Sequence, residues 1–291
     1  MSTTHTIRPS VLVHMANGTQ KPINEVCVGD TAASHTSVKK SKPRNIGLVA
    51  YHGDPTIKEK YLARVEAHRL ADDILQRYGY WKDGKGCAVG CTLHSDEHDD
   101  YESVLGIPEP IAQLEDVIFE GLPVELARAW PSRFLTVIPV GADLSQVPDR
   151  FCFWLLTSPD MQLDELAEPD GKLAITRVVD LYRRRLDCDK PTATEWAAAR
   201  TAASDATKAA ALAAALTTTS DAARSAASYA ASVAARVAVS TAVNDAGNAA
   251  AWAAAWAAGS IVGGIASRAA AWVLMATCLE DLLGSAPIAD S

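Results

Sequence analysis

The chain has 291 residues, enough for one large or two ordinary domains and for a substantial buried core. Hydrophobic residues make up 48% of it but aromatics only 6%, so alanine must supply much of the apolar fraction. A formal net charge of −8 argues against the basic footprint that broad nucleic-acid binding needs.

That charge is unevenly spread. Residues 1–50 hold six Lys/Arg against two acids, residues 51–190 hold 16 against 26, and residues 191–291 hold five against seven. The acidic middle and the short basic start set the first two regions apart. Six cysteines (Cys27, Cys87, Cys91, Cys152, Cys188 and Cys278) are too few in a chain of this length for a disulfide framework. Residues 1–10 lack the apolar core of a signal peptide. A reduced, cytoplasmic protein is the expectation.

Residues 1–45 show no helical period. Pro, Gly, Thr and Ser are frequent, and Val11 to Val13 and Val26 to Val28 read as short strands. The stretch from Met15 to Asp30 contains Asn17-Gly-Thr-Gln-Lys-Pro-Ile-Asn-Glu-Val-Cys-Val-Gly-Asp30. It resembles the opening hairpin of hedgehog/intein domains, where such a pattern follows a splicing nucleophile. Only Ser10 lies near the position of that nucleophile, and no later histidine block follows. The segment is therefore expected to be a β-hairpin leader.

Residues 46–190 read as a run of helices. Asp54-Pro55 is an N-cap acceptor followed by a proline at the first helical position. The helix it opens is predicted to reach Arg77, with Gly79 as its stop. Its stripe is Tyr61, Val65, His68, Asp72 and Leu75, so His68 and Asp72 interrupt an apolar face. Further helices are predicted near 109–120, between Pro108/Pro110 and Gly121, and near 123–129. Others are predicted from Trp130-Pro131 to before Gly141, from Pro148 through Phe151 to Leu156, and over Leu173 to Leu186.

Residues 191–291 are different material, with 37 alanines among the 90 residues from Pro191 to Glu280. Alanine is the best helix former because it loses no side-chain entropy. Three or four helices are expected, the first capped by Thr192 or Thr194, with Tyr229, Trp252, Trp256 and Trp272 as wedges. The charge-free run from Ala246 to Ser267 is long enough to span a bilayer, but alanine gives little insertion energy, so a membrane span is not expected. The small faces suit self-association or a protein partner. Taken together the fold class is all-α: a leader at 1–45, a multi-helix domain at 46–190 and an alanine-rich helical bundle at 191–291.

One constellation stands out as a candidate site, with the spacing Cys87-x3-Cys91-x2-His94-x3-His98. On a continuous helix all four share one face. Three readings compete. In the first, the cysteines are buried packing residues. In the second, Cys87, Cys91, His94 and His98 hold a metal, and thiolate and imidazole donors suit zinc. In the third, Cys87 is a reactive thiol at a helix N-terminus, activated by the dipole, with His68, oriented by the Asp72 carboxylate, or His94 as base. The acids Glu102, Glu115, Asp116 and Glu120 follow, and Glu115 can reach the apolar face beside Leu114 and Ile118.

The run KGCAVGCTLH, with LGIP, LEDVIFEGLP, WPSRFL and GADLS downstream, resembles a family of uncharacterised bacterial and phage-encoded proteins with alanine-rich helical tails. The resemblance covers roughly residues 48–283 and implies no catalytic residue. It leaves two expectations. One is a helical protein with a Cys/His site in the middle region. The other is a non-catalytic helical scaffold, a phage accessory or partner-binding protein that is virion-associated if phage-encoded.

Overall fold

The computed structural model describes residues 12–14, 20–22, 48–79, 81–95, 100–161, 169–217 and 265–289. The fold is all-α with short hairpins. Strands β1 (Leu12–His14) and β2 (Gln20–Pro22) pair antiparallel, with Val13 opposite Lys21. The first stands where a strand was expected at Val11 to Val13; the second is at Gln20–Pro22, and the strand expected at Val26 to Val28 lies outside the described residues.

Helix α1 (Pro55–Leu70) starts as its sequence directs: Asp54 accepts from Thr56 N at 2.8 Å. It stops about two turns earlier than expected. Its basic last turn is followed by Asp72, whose φ of +56° is left-handed, and Arg77 is left-handed as well at +59°. These reversals fold the chain back toward a small hairpin of β3 (Trp81–Lys82) and β4 (Lys85–Gly86). Ile74 bridges Gly86, Gly86 N donates to Asp73 O at 3.1 Å, and Leu75 N donates to Gly86 O at 2.8 Å.

Six short or medium helices follow: α2 (Ala88–Leu93), α3 (Asp100–Leu105), α4 (Glu109–Gly121), α5 (Val124–Ala127), α6 (Trp130–Val137) and α7 (Val147–Thr157). Helix α4 is the centre of the core. Ile111, Ala112, Leu114, Val117, Ile118 and Phe119 are buried on it, against Trp130 and Phe134 of α6 and Phe151 and Leu155 of α7. Each such Val, Leu, Ile or Phe side chain stabilises by roughly 1.5–3 kcal/mol when fully buried.

A tight turn at Ala50–Gly53 closes the α1–α3 side. Tyr51 and His52 in it have φ of +55° and +51°, a conformation that costs non-glycine residues about 1–3 kcal/mol each. The surroundings hold it there. The Tyr51 hydroxyl donates to Leu135 O at 2.6 Å and His52 Nε2 meets Ser103 O at 3.1 Å. Gly106, itself at φ +63°, lies so close that a Cβ on it would stand 2.0 Å from Val49 O.

Helix α8 (Pro169–Leu186) packs on α7, and α9 (Ala193–Thr217) packs on α8. The cap of α9 is a reciprocal box: Glu195 N donates to Thr192 Oγ1 at 3.2 Å, and Thr192 N donates to Glu195 Oε2 at 2.7 Å. The sequence expected a composition boundary at residue 190. The packing crosses it, because Trp196, Ala199 and Ala203 of α9 are buried in the same core cluster as α8.

Helix α10 (Ile265–Gly284) crosses it more decisively, since it packs on α4, α6 and α7. Trp272, Met275, Leu279 and Leu283 are buried there, and Arg133 of α6 pairs with Glu280 at 2.6 Å. The chain then runs back along the 139–143 turn, where Asp143 N donates to Pro287 O and Ala289 N donates to Gly141 O. The end of the alanine-rich region thus closes the core of the middle region. Tyr229, Trp252 and Trp256, and residues 246–264 of the charge-free run, lie outside the described residues. Among the described residues no helix is long and apolar enough to cross a membrane.

Candidate functional site

The Cys/His constellation does not form one helical face. Helix α2 is only six residues long, with Cys87 as its extended N-cap, and it ends at His94, whose φ of +61° is left-handed. A left-handed residue at this position stops a helix, so the one-face spacing is broken before His98. Residues 96–99, His98 among them, lie outside the described residues.

The two cysteines and His94 diverge. Cys87 and Cys91 are 2% and 0% exposed, whereas His94 is on the surface. The Cys91 thiol donates to Gly86 O at 3.5 Å and Asp73 O at 3.7 Å, tying α2 to the loop behind α1. Its pKa is pushed up to about 12 by burial, with Asp73 adding to the rise. Burial and the neighbouring Asp116 carboxyl push the Cys87 thiol far above the ordinary thiol range. One of the three sequence readings was a thiol activated by the helix dipole. Desolvation is the larger effect at this site, and it favours the neutral thiol.

Four cysteines, Cys87, Cys91, Cys152 and Cys278, carry free thiols. Cys188 is disulfide-bonded, an exception to the reduced set expected from the sequence.

The structure brings together a different set. His68, near the end of α1, and His94, at the end of α2, meet with their Nε2 atoms 2.8 Å apart. One imidazole must donate and the other accept at that distance. The Nδ1 of His68 lies 3.3 Å from Asp73 Oδ2. The carboxylate beside His68 is therefore Asp73. Asp72, expected to serve, is exposed past the helix end and pairs with Arg128 at 3.1 Å.

Trp81 completes the wall. Its ring stacks on His94 with centroids 4.3 Å apart and 15° between planes, and it meets the edge of His68 at 5.4 Å. Lys85, across the β3–β4 turn, lies 3.7 Å from the other oxygen of Asp73. Arg64 of α1 donates to Thr92 O at 2.9 Å and so holds the end of α2 against α1. Partial burial, with the charge of Arg64 and the proximity of His68, lowers the pKa of His94. That favours the neutral ring, the form that offers a lone pair.

A second polar cluster lies beneath α2, and its burial was not legible in the sequence. Glu115 on α4 is fully buried, and the Tyr101 hydroxyl donates to its Oε2 at 2.6 Å. Its other oxygen, Oε1, is buried without a hydrogen-bond partner. The Glu115 pKa is raised to about 8 by burial, with Asp116 adding to the rise and Tyr101 opposing it. Burial likewise raises Tyr101 and Tyr51, and Glu115 adds to both shifts. The indole of Trp130 donates to the Glu115 carbonyl at 3.0 Å.

Elsewhere the acids cap or brace. Glu102 Oε1 accepts from Glu109 N at 3.2 Å, and Glu120 accepts from Arg77 N at 3.0 Å. Among the described residues, no group of three or more His, Cys, Asp or Glu side chains is grouped to hold a metal ion.

No family model, no curated protein and no solved structure matches the chain. The reading of the site therefore rests on its geometry alone.

Proposed function

We propose that the chain is a helical protein that binds a divalent transition-metal ion, zinc foremost, through His68 and His94. The observation that carries this is the 2.8 Å approach of the two Nε2 atoms. Neutral imidazoles are the usual protein donors for such ions; moving the proton that lies between the two Nε2 atoms to the Nδ1 of the donor ring would leave a lone pair on each Nε2 for the ion. Asp73 occupies the outer position that carboxylates take behind metal-bound histidines, fixing the tautomer and raising ligand basicity. Trp81 packs on both rings and limits their rotation. With two protein donors, one fewer than catalytic zinc sites have, the remaining coordination positions would go to water or a small ligand. The buried thiols Cys87 and Cys91 stay outside the donor set, which departs from the ligand set expected from the sequence.

Zinc titration of the chelator-treated chain tests this. His68→Ala and His94→Ala should each abolish tight uptake. Asp73→Asn should weaken it by about 10–100-fold, the usual cost of losing an outer-shell partner. A Cys87→Ser, Cys91→Ser double variant should bind as the parent does. Zinc uptake that survives both histidine variants would overturn the proposal, as would no uptake at all.

A further inference from the structure

The α2 helix that presents His94 rests on the only fully buried carboxyl among the described residues, Glu115. We infer that Glu115 is a protonation-sensitive latch beneath α2: protonated, it keeps α2 and α3 seated on α4; ionised, it favours their release and so parts His94 from His68. This rests on the metal-site reading only for its consequence, the loss of the histidine pair.

The seat is built from a chain of contacts. Tyr101 of α3 bonds Glu115 on α4 and also engages Thr92 of α2. Thr92 is fully buried, donates its hydroxyl to Ala88 O at 2.9 Å, and gives its carbonyl to Arg64 of α1. His94 is two residues further on. Cys87, at the other end of α2, interacts with Asp116 of α4. Both ends of α2 therefore rest on the Glu115–Asp116 pair.

The groups that act on Glu115 are Tyr101 from α3 and Asp116 from α4 itself. Glu115 in turn raises Tyr51, in the turn before α1, and Cys87 of α2 acts on Tyr101. All of these are acids or neutral groups, so among the described residues no cation compensates a carboxylate at this position. A buried carboxylate with one donor and one orphan oxygen is costly. Hydrating it requires water to enter between α2, α3 and α4. The open form then holds an ordinary carboxyl, and the closed form holds a proton. Opening becomes easier by up to about tenfold per pH unit across the window between those two titrations, and levels off above it.

Cys87 and Cys91 report the opening, because one caps α2, the other lies within it, and both thiols are buried. The experiment measures alkylation of the metal-free full chain in chelator from pH 5.5 to 9, in parent and Glu115→Gln. Dividing one rate by the other cancels the thiols' own titration. The expected ratio climbs by up to about tenfold per pH unit and flattens near the titration of Glu115. A flat ratio overturns the inference.

Tyr101→Phe provides a second variant should Glu115→Gln fold poorly. It removes the donor that favours the carboxylate, so the plateau should move to higher pH. An unmoved plateau counts against the latch. A separate zinc titration distinguishes the two ideas: a pH-dependent ratio without zinc uptake leaves the latch standing and removes the metal site. Zinc uptake with a flat ratio does the reverse.

Discussion

Trp272 lies flat over the backbone of Gly121: a Cβ on that glycine would stand 2.1 Å from the indole ring. The contact joins the end of α4 to the C-terminal helix α10 across 150 residues of sequence. Gly121→Ala forces the indole out of its place, and overpacking of this kind costs about 1–3 kcal/mol. Trp272→Ala leaves a cavity instead and should cost about 3–5 kcal/mol. Urea denaturation followed by circular dichroism measures both. If neither variant lowers the midpoint, α10 is not seated on α4.

The buried Glu115 carboxyl gives the fold a pH dependence of known sign. Its pKa rises from an ordinary 4.5 to about 8 in the folded state. Across that window the native state holds a proton that the unfolded state has lost. Stability is therefore fully present below the ordinary value and falls as pH rises through the window, by up to about 1.4 kcal/mol per pH unit. Burial raises Glu120 and Asp149 in the same direction, so the useful quantity is the difference between parent and Glu115→Gln. Glutamine has the same shape and still accepts from Tyr101. Its advantage over the parent should be small near pH 5 and grow toward pH 8. A constant difference would show that Glu115 titrates as an exposed acid does.

Where the sequence could be read, its signals were local. Pro108, Pro110 and Gly121 bracket α4 at Glu109–Gly121, and Asp54-Pro55 places the start of α1. The histidine site was half legible. His68 and His94 were both candidates, but their meeting depends on the chain reversing at Asp72 and Arg77, and no periodicity reports a left-handed residue. Asp72 fitted the helical stripe better than Asp73 only while the helix was assumed to continue past Leu70. Cys87 at a helix N-terminus suggested an acidic thiol. What decides its chemistry is desolvation by α4, an element some thirty residues away. Glu115 shows the same limit: the stripe placed it beside Leu114 and Ile118, but a helical stripe does not state how deeply a face is buried.

The thiols should behave as core residues. Cys91 and Cys152 are each raised from 9.0 to about 12, so each thiolate fraction near neutrality is lowered roughly a thousandfold. Burial of Cys87 acts in the same direction. In the native chain at pH 7 a thiol reagent should label these three only slowly, and denaturant should release them. Fast labelling of Cys87 in the folded protein would restore the reactive-cysteine reading and sink the packing one.

His94 should titrate below the ordinary histidine range. Burial is the largest cause of the lowered His94 pKa, followed by Arg64 and then His68. The Nε2 atoms share one proton at 2.8 Å, and the contact cannot be made once both carry a proton, so it should break when both rings are charged at low pH. Trp81, stacked on His94, reports this: its emission should shift in a step below pH 6.5, and the His94 ring signals should titrate with it. Arg64→Gln removes a neighbouring positive charge, and His68→Ala removes the partner, so each should move the step to higher pH. Bound zinc should move it lower still, because metal and proton compete for the same lone pairs. A step at the ordinary histidine value that none of these changes moves would mean that the two rings do not act as a pair.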